Sequence, residues 1–190
     1  MALLIIGIVV FLGIHLLPAF PQARETLIGR LGKSGYKIFF GLASIAGFVL
    51  LVCGFAVAPF VQVWSPPAWT RWVAIVLMLP AFIFLVAAYV PGGIKARVKH
   101  PFLVAIKTWA LAHLIANGDL ASIILFGSFL AYAVFDRISL KGRRPTELIE
   151  SAGQDGARND VIAVVVGGVF YVIFLIWLHP LLIGRAVVPH

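Results

Sequence analysis

The stretch Arg97-Val98-Lys99-His100-Pro101-Phe102-Leu103-Val104-Ala105-Ile106-Lys107-Thr108-Trp109-Ala110-Leu111-Ala112-His113-Leu114-Ile115-Ala116-Asn117-Gly118-Asp119 decides how the chain is read. A basic cluster and a His-Pro step open it, an apolar run follows, and Asn-Gly-Asp closes it. Proline is well tolerated at the first helical position, so a helix is expected over Pro101–Ala116 with His100 at or beside its N-cap. Gly118 suits a left-handed cap after Asn117, and Asp119 is placed to cap the run that follows. Polar and ionisable groups at membrane depth are costly, which makes the histidines, lysine and asparagine of this segment functional candidates by default.

Working outward, the same apolar character extends over most of the 190 residues, 62% of which are hydrophobic, and the mean hydropathy is +1.07. Soluble domains are only about half apolar, so the chain reads as a single all-α, polytopic membrane domain over residues 1–190. The net charge of +8 does not indicate a nucleic-acid partner, because the basic residues sit in short connections between apolar runs. Cys53, the single cysteine, makes no intrachain disulfide and belongs to no CxxC or zinc pattern. It reads as a small buried apolar residue.

Six spans are expected, in one bundle: 2–17, 36–58, 72–90, 101–116, 120–135 and 161–183. The first is not a signal peptide, since no positive charge precedes it and no small-x-small site follows. Pro18 and Pro21 end it, and Arg24–Ser34 reads as a polar connection. In the second run Gly41, Ser44 and Gly47 recur at one-turn spacing, a stripe that allows close helix approach. Trp64, Trp69 and Trp72 fit an interfacial belt or the mouth of a ligand site. Pro80 is expected to kink the third run and to leave a carbonyl for a neighbour, and Pro91-Gly92-Gly93 stops it. Gly167-Gly168 marks close packing in the last run. The hydrophilic stretch Arg137–Asp160 reads as an exposed loop.

Orientation follows from the basic residues. Arg24, Arg30, Lys33 and Lys37 follow the first span, Lys95, Arg97 and Lys99 the third, and Arg137, Lys141, Arg143, Arg144 and Arg158 the fifth, with only Arg71 and Arg185 on the other side. The positive-inside rule then puts both termini outside the cytoplasm.

Trp109, His113 and Asn117 are spaced by four and share a helix face. A neutral imidazole inside a bundle is a ligand for haem iron or another transition metal, and His15, within another span, is its natural partner. The plainer reading is a packed histidine bonded to a carbonyl or to Asn117. His100, with its cationic neighbours at a helix start, suits a phosphate, propionate or carboxylate, or simply an N-cap. Lys107 lies near the face of His100 or snorkels to headgroups. His179 and His190 read as structural or idle. No catalytic triad, phosphate loop, dinucleotide fingerprint or HExxH is present. No carboxylate sits mid-span, which argues against a proton-coupled transporter.

Gly13-Ile14-His15-Leu16-Leu17, Leu79-Pro80-Ala81-Phe82, Lys99-His100-Pro101, the run Trp109–Asp119 and Asp136-Arg137-Ile138-Ser139 together resemble the NnrU family over nearly the whole chain. The resemblance implies an integral protein of the bacterial inner membrane associated with nitrite and nitric oxide reduction. That family is similar in turn to plant zeta-carotene isomerase, a haem b membrane enzyme. The likeness implies haem b, ligands at His15 and His113, a hydrophobic small-molecule substrate and isomerase-like chemistry. The isomerase carries a cysteine three residues before its second histidine, and here that position is Ala110, so ligand exchange through a thiolate is not available. In upright helices His15 and His113 would be offset by about 15 Å. Helix tilt closes that gap, or His15 pairs with His100, or no haem binds. Two other readings stand beside this one. One is a non-enzymatic accessory protein that supports a denitrification complex, meeting a membrane partner through the Arg137–Asp160 loop. The other is an S-adenosylmethionine-dependent methyltransferase, which the basic-His-Pro segment faintly resembles, although the Gly and aromatic pattern expected after His-Pro is absent.

Overall fold

In hydrocarbon every backbone N–H and C=O needs a partner inside its own segment or a closed barrel, and runs without strand alternation meet that need as helices. The computed structural model describes residues 1–143, 156–184 and 187. Among them every regular element is a helix: α1 (Ala2–Leu16), a 3-10 turn (Leu17–Ala19), α2 (Pro21–Ala56), α3 (Thr70–Ala87), α4 (Gly93–Val98), α5 (Pro101–Ala116), α6 (Leu120–Arg143), α7 (Gly156–Ile173), a π-turn (Phe174–Leu178) and α8 (His179–Ile183). Five segments among the described residues are long and apolar enough to cross a membrane: Ala2–Ala19, Pro21–Ala56, Thr70–Ala87, Leu120–Lys141 and Gly156–Ile183. The sixth expected span, α5, is apolar but has 16 residues. That is about 24 Å at 1.5 Å per residue, short of a hydrocarbon core of about 30 Å.

Three expected boundaries change. Arg24–Ser34 is not a connection but the first part of α2, which starts at Pro21 and turns at Gly32 (φ 70°, ψ 166°). Pro21 opens the helix without losing a bond, and Arg, Gln, Glu and Leu propagate it. Charge in the sequence concealed a helix that only Gly32 bends. Much of the Arg137–Asp160 loop is likewise helical, since α6 runs on to Arg143 and α7 begins at Gly156; residues 144–155 of that loop lie outside the described residues. Gly118 does not take the left-handed cap. Asn117 ends α5 in extended conformation (φ −121°, ψ 132°), because the chain leaves the helix to pair with another loop.

The chain divides into two compact units, Met1–Ser65 with Gly118–Leu140, and Pro66–Asn117 with Lys141–His190. In the first, α1 and α2 pack through glycine. A Cβ on Gly47 would stand 2.6 Å from the backbone N of Phe11, one on Gly54 would stand 2.6 Å from Cα of Leu4, and one on Gly7 would meet the backbone of Leu51. The three levels step by three and four residues along α1 and by the same steps back along α2, so each glycine faces a larger residue in one antiparallel register. Without a hydrophobic drive between helices in lipid, such close backbone approach is what holds them together. Of the stripe expected from the sequence only Gly47 takes part. A Cβ on Gly41 would meet nothing within 4 Å, and the Ser44 hydroxyl donates to the Phe40 carbonyl of its own helix at 2.7 Å. Cys53, expected to be buried, is exposed, since an outer face against lipid accepts an apolar residue as readily as a core does.

The helix α6 joins this unit through Phe129 against Phe11 (5.9 Å) and Phe135 against Phe20 (6.2 Å). The loop after α2 is tied to the start of α6. The Gly118 carbonyl accepts from the N–H groups of Val63 (2.8 Å) and Trp64 (3.1 Å), and the Val61 carbonyl accepts from Leu120 N–H (2.8 Å). Asp119 caps α6 as expected, its Oδ1 accepting from Ser122 N–H at 2.9 Å.

In the second unit α3 packs against α5 and α7. Gly167 backs onto Ile83, whose Cα would lie 2.8 Å from an added Cβ, while Gly168 has open space. Pro80 lies within α3, and five residues before it the Ile75 carbonyl, which is not the one that a proline at 80 leaves without its helical donor, accepts from the Tyr171 hydroxyl of α7 at 3.0 Å. At the other end, Asp160 Oδ1 accepts from Ile94 N–H (2.9 Å) and Asn159 Nδ2 donates to the Pro91 carbonyl (2.8 Å). Together they fasten the Pro91-Gly92-Gly93 turn to α7.

Candidate functional site

The histidines divide between the units: His15 belongs to the first, and His100, His113 and His179 to the second. His190 lies outside the described residues. In the last turn of α1, His15 Nδ1 lies 2.6 Å from the carbonyl of Phe11. Its ring is 4.4 Å from the Phe11 ring at 38° and 5.4 Å from the Phe40 ring of α2, edge-on at 64°. The imidazole is half-buried in an aromatic setting that the register of α1 on α2 creates.

His113 repeats the local pattern. Its Nδ1 lies 2.9 Å from the carbonyl of Trp109, and the indole ring stands 5.4 Å away at 53°. Asn117, one turn further on, donates its Nδ2–H to the His113 carbonyl at 2.8 Å, and its backbone N–H reaches the same oxygen at 2.9 Å. The Trp109-His113-Asn117 face is therefore a continuous local network, with Asn117 closing the helix end. Ala110, three residues before His113, is fully buried at 0% exposure. His179 stands within electrostatic reach of His113 and against Phe174 (6.1 Å, 78°). His179 reads from the sequence as structural or idle; it directly follows the π-turn of Phe174–Leu178, a feature that often marks functional sites and that no residue pattern announces.

In both His15 and His113 the carbonyl that receives Nδ1–H fixes the tautomer, which puts the ring's lone pair on Nε2. Ligating histidines are held in the same way. A porphyrin supplies four of iron's ligands itself, so a haem asks the protein for one or two, and these two residues fit that demand. Among the described residues no group of three or more His, Cys, Asp or Glu comes together to hold a metal ion.

His100 is the N-cap of α5 with no side-chain capping bond, and its carbonyl accepts from Leu103 N–H (3.1 Å) and Val104 N–H (3.3 Å). Lys99 before it takes φ 64°, an uncommon conformation for a residue with a side chain. His100 and His113 stand at opposite ends of α5, about 20 Å apart along its axis. The structure therefore does not gather them into one site.

Long apolar helices, glycine-mediated packing and anchored imidazoles define the class: an all-helical, multi-pass membrane protein. Within that class the chain belongs to the NnrU family, since the NnrU protein model matches residues 3–187, nearly its whole length. Neither a curated protein nor a solved structure matches it.

Proposed function

We propose that this NnrU-family protein lies in the bacterial inner membrane with both termini outside the cytoplasm, binds haem b through His15 and His113, and takes part in redox or isomerase-like chemistry connected with nitrite and nitric oxide reduction. The observation that carries the reading is the shared anchoring of the two imidazoles, each bonded through Nδ1 to the carbonyl one turn back. Such a bond orients a ligand and raises its basicity. A bound haem would supply a redox-active iron with Lewis acidity. The chain's own part is to fix the two rings, to exclude water, and to admit a hydrophobic small molecule from lipid. With Ala110 where the plant isomerase has cysteine, no thiolate is at hand to exchange with His113. The stretch Arg137–Asp160 is the proposed contact for a membrane-protein partner.

The test is the absorption spectrum of detergent-purified protein after haem-replete expression. A Soret band with stoichiometric haem by pyridine haemochromogen, lost in His15→Ala and His113→Ala, is the expected result. Protein that carries no haem under these conditions, or both variants carrying it at the wild-type level, refutes the reading and leaves a non-haem accessory role in its place.

A further inference from the structure

A single hydrogen bond from Nδ1 fixes one atom of an imidazole and leaves its plane to turn about that bond. At His15 the plane is met by two rings from two helices. Phe11 supplies both the accepting carbonyl at 2.6 Å and a ring at 4.4 Å, and Phe40 places its ring edge-on at 5.4 Å. Neither ring is a loose neighbour. Phe11 is held by Phe48 of α2 at 6.1 Å and by Phe129 of α6 at 5.9 Å, and its backbone backs directly onto Gly47. Phe40 rests 6.2 Å from Tyr36, which is 9% exposed and lies under the Arg24 guanidinium at 5.7 Å. The orientation of this one imidazole is thereby tied to all three long helices of its unit.

Taking His15 as a haem ligand, we propose that Phe40 is a positioning residue that sets the plane of the His15 imidazole, with the Phe11 ring as its counterpart. Phe40 touches the ligand, not the iron. Edge-to-face aromatic contacts prefer a defined geometry. Removing one releases ring rotation without removing the Nδ1 anchor. The neighbouring Phe39, 43% exposed, is the control, because it belongs to the same helix turn and makes no ring contact with His15.

The experiment uses the full chain, purified with haem, as wild type, Phe40→Leu, Phe40→Met, Phe40→Tyr and Phe39→Leu. The readouts are haem content, the low-spin electron paramagnetic resonance spectrum of the ferric protein, and the rate of haem loss to apomyoglobin. Phe40→Leu and Phe40→Met are expected to retain haem, to shift and broaden the highest g value, and to lose haem about two- to tenfold faster. Phe40→Tyr, which keeps the ring, and Phe39→Leu should match wild type. Two Phe40 substitutions keep the test open if one of them fails to fold. Haem-loaded Leu and Met variants with the wild-type spectrum would overturn the positioning role while leaving haem ligation by His15 intact. Wild-type protein that binds no haem would instead remove the underlying reading, and the positioning role with it.

Discussion

Substituting Gly47 by alanine tests the packing on which the first unit depends. The added Cβ would lie 2.6 Å from Phe11 N, 2.8 Å from Phe11 Cα and 3.0 Å from Phe11 Cβ. Two of these three are backbone atoms, and they cannot swing aside as the end of a side chain can. Ordinary carbon contacts begin near 3.5 Å, so α1 must retreat from α2 by several tenths of an ångström to about 1 Å. Overpacking of this kind costs about 1–3 kcal/mol. For a chain of this size that corresponds to a melting temperature lower by about 2–10 °C. The comparison is Gly41→Ala on the same helix, where a Cβ would meet nothing within 4 Å and helix propensity favours alanine by up to about 1 kcal/mol. Thermal unfolding of both variants in one detergent, followed by circular dichroism and by fluorescence-detected size exclusion, separates them. Because Phe11 also anchors His15, Gly47→Ala is further expected to lower haem content, whereas Gly41→Ala leaves it unchanged. Equal melting temperatures for the two variants would refute the glycine register.

Other consequences can be measured in the same preparation. Gly54→Val repeats the collision against Leu4 with a larger group and should destabilise more than Gly47→Ala, which the same melting experiment checks. Tyr171→Phe removes the bond to the Ile75 carbonyl and should cost about 0.5–1.5 kcal/mol, a small loss by steric-trapping unfolding that an unchanged stability would contradict. Asp160→Ala strips the N–H of Ile94, in the first turn of α4, of its acceptor and should cost about 0.5–2 kcal/mol. Faster amide exchange over residues 92–96 is the sign to look for by mass spectrometry. Trp64→Ala should leave the loop backbone in place, because the bonds to the Gly118 carbonyl come from main-chain N–H groups; amide protection at Val63 unchanged from wild type is the expected readout.

Much of the fold could be read from residues alone, for reasons particular to lipid. A span announces itself by length and by lack of charge, and α1, α3, α5 and the apolar part of α7 lie within a few residues of the expected runs, whereas α6 continues past its expected end at 135 to Arg143. Asp119 as the cap of α6 is legible because a cap depends only on the next turn of the same helix, and the shared face of Trp109, His113 and Asn117 follows from their spacing by four. The errors share a cause. Arg24–Ser34 looked like a connection because it is charged, yet charge says nothing against a helix outside the hydrocarbon. Cys53 looked buried because it is apolar, yet apolar residues cover both the inside and the outside of a membrane protein.

Residue order alone establishes that the chain is helical, that it crosses a membrane several times, and that His15 and His113 sit towards the ends of apolar runs. Those properties come from composition and from a period of 3.6 residues, both local. The tertiary structure alone decides which glycines meet a facing backbone, that Gly118 serves a distant loop instead of a left-handed cap, and that Phe40 borders His15. These depend on the register of one helix against another. A shift of a single turn would exchange every partner while leaving the hydrophobic pattern of each helix unchanged.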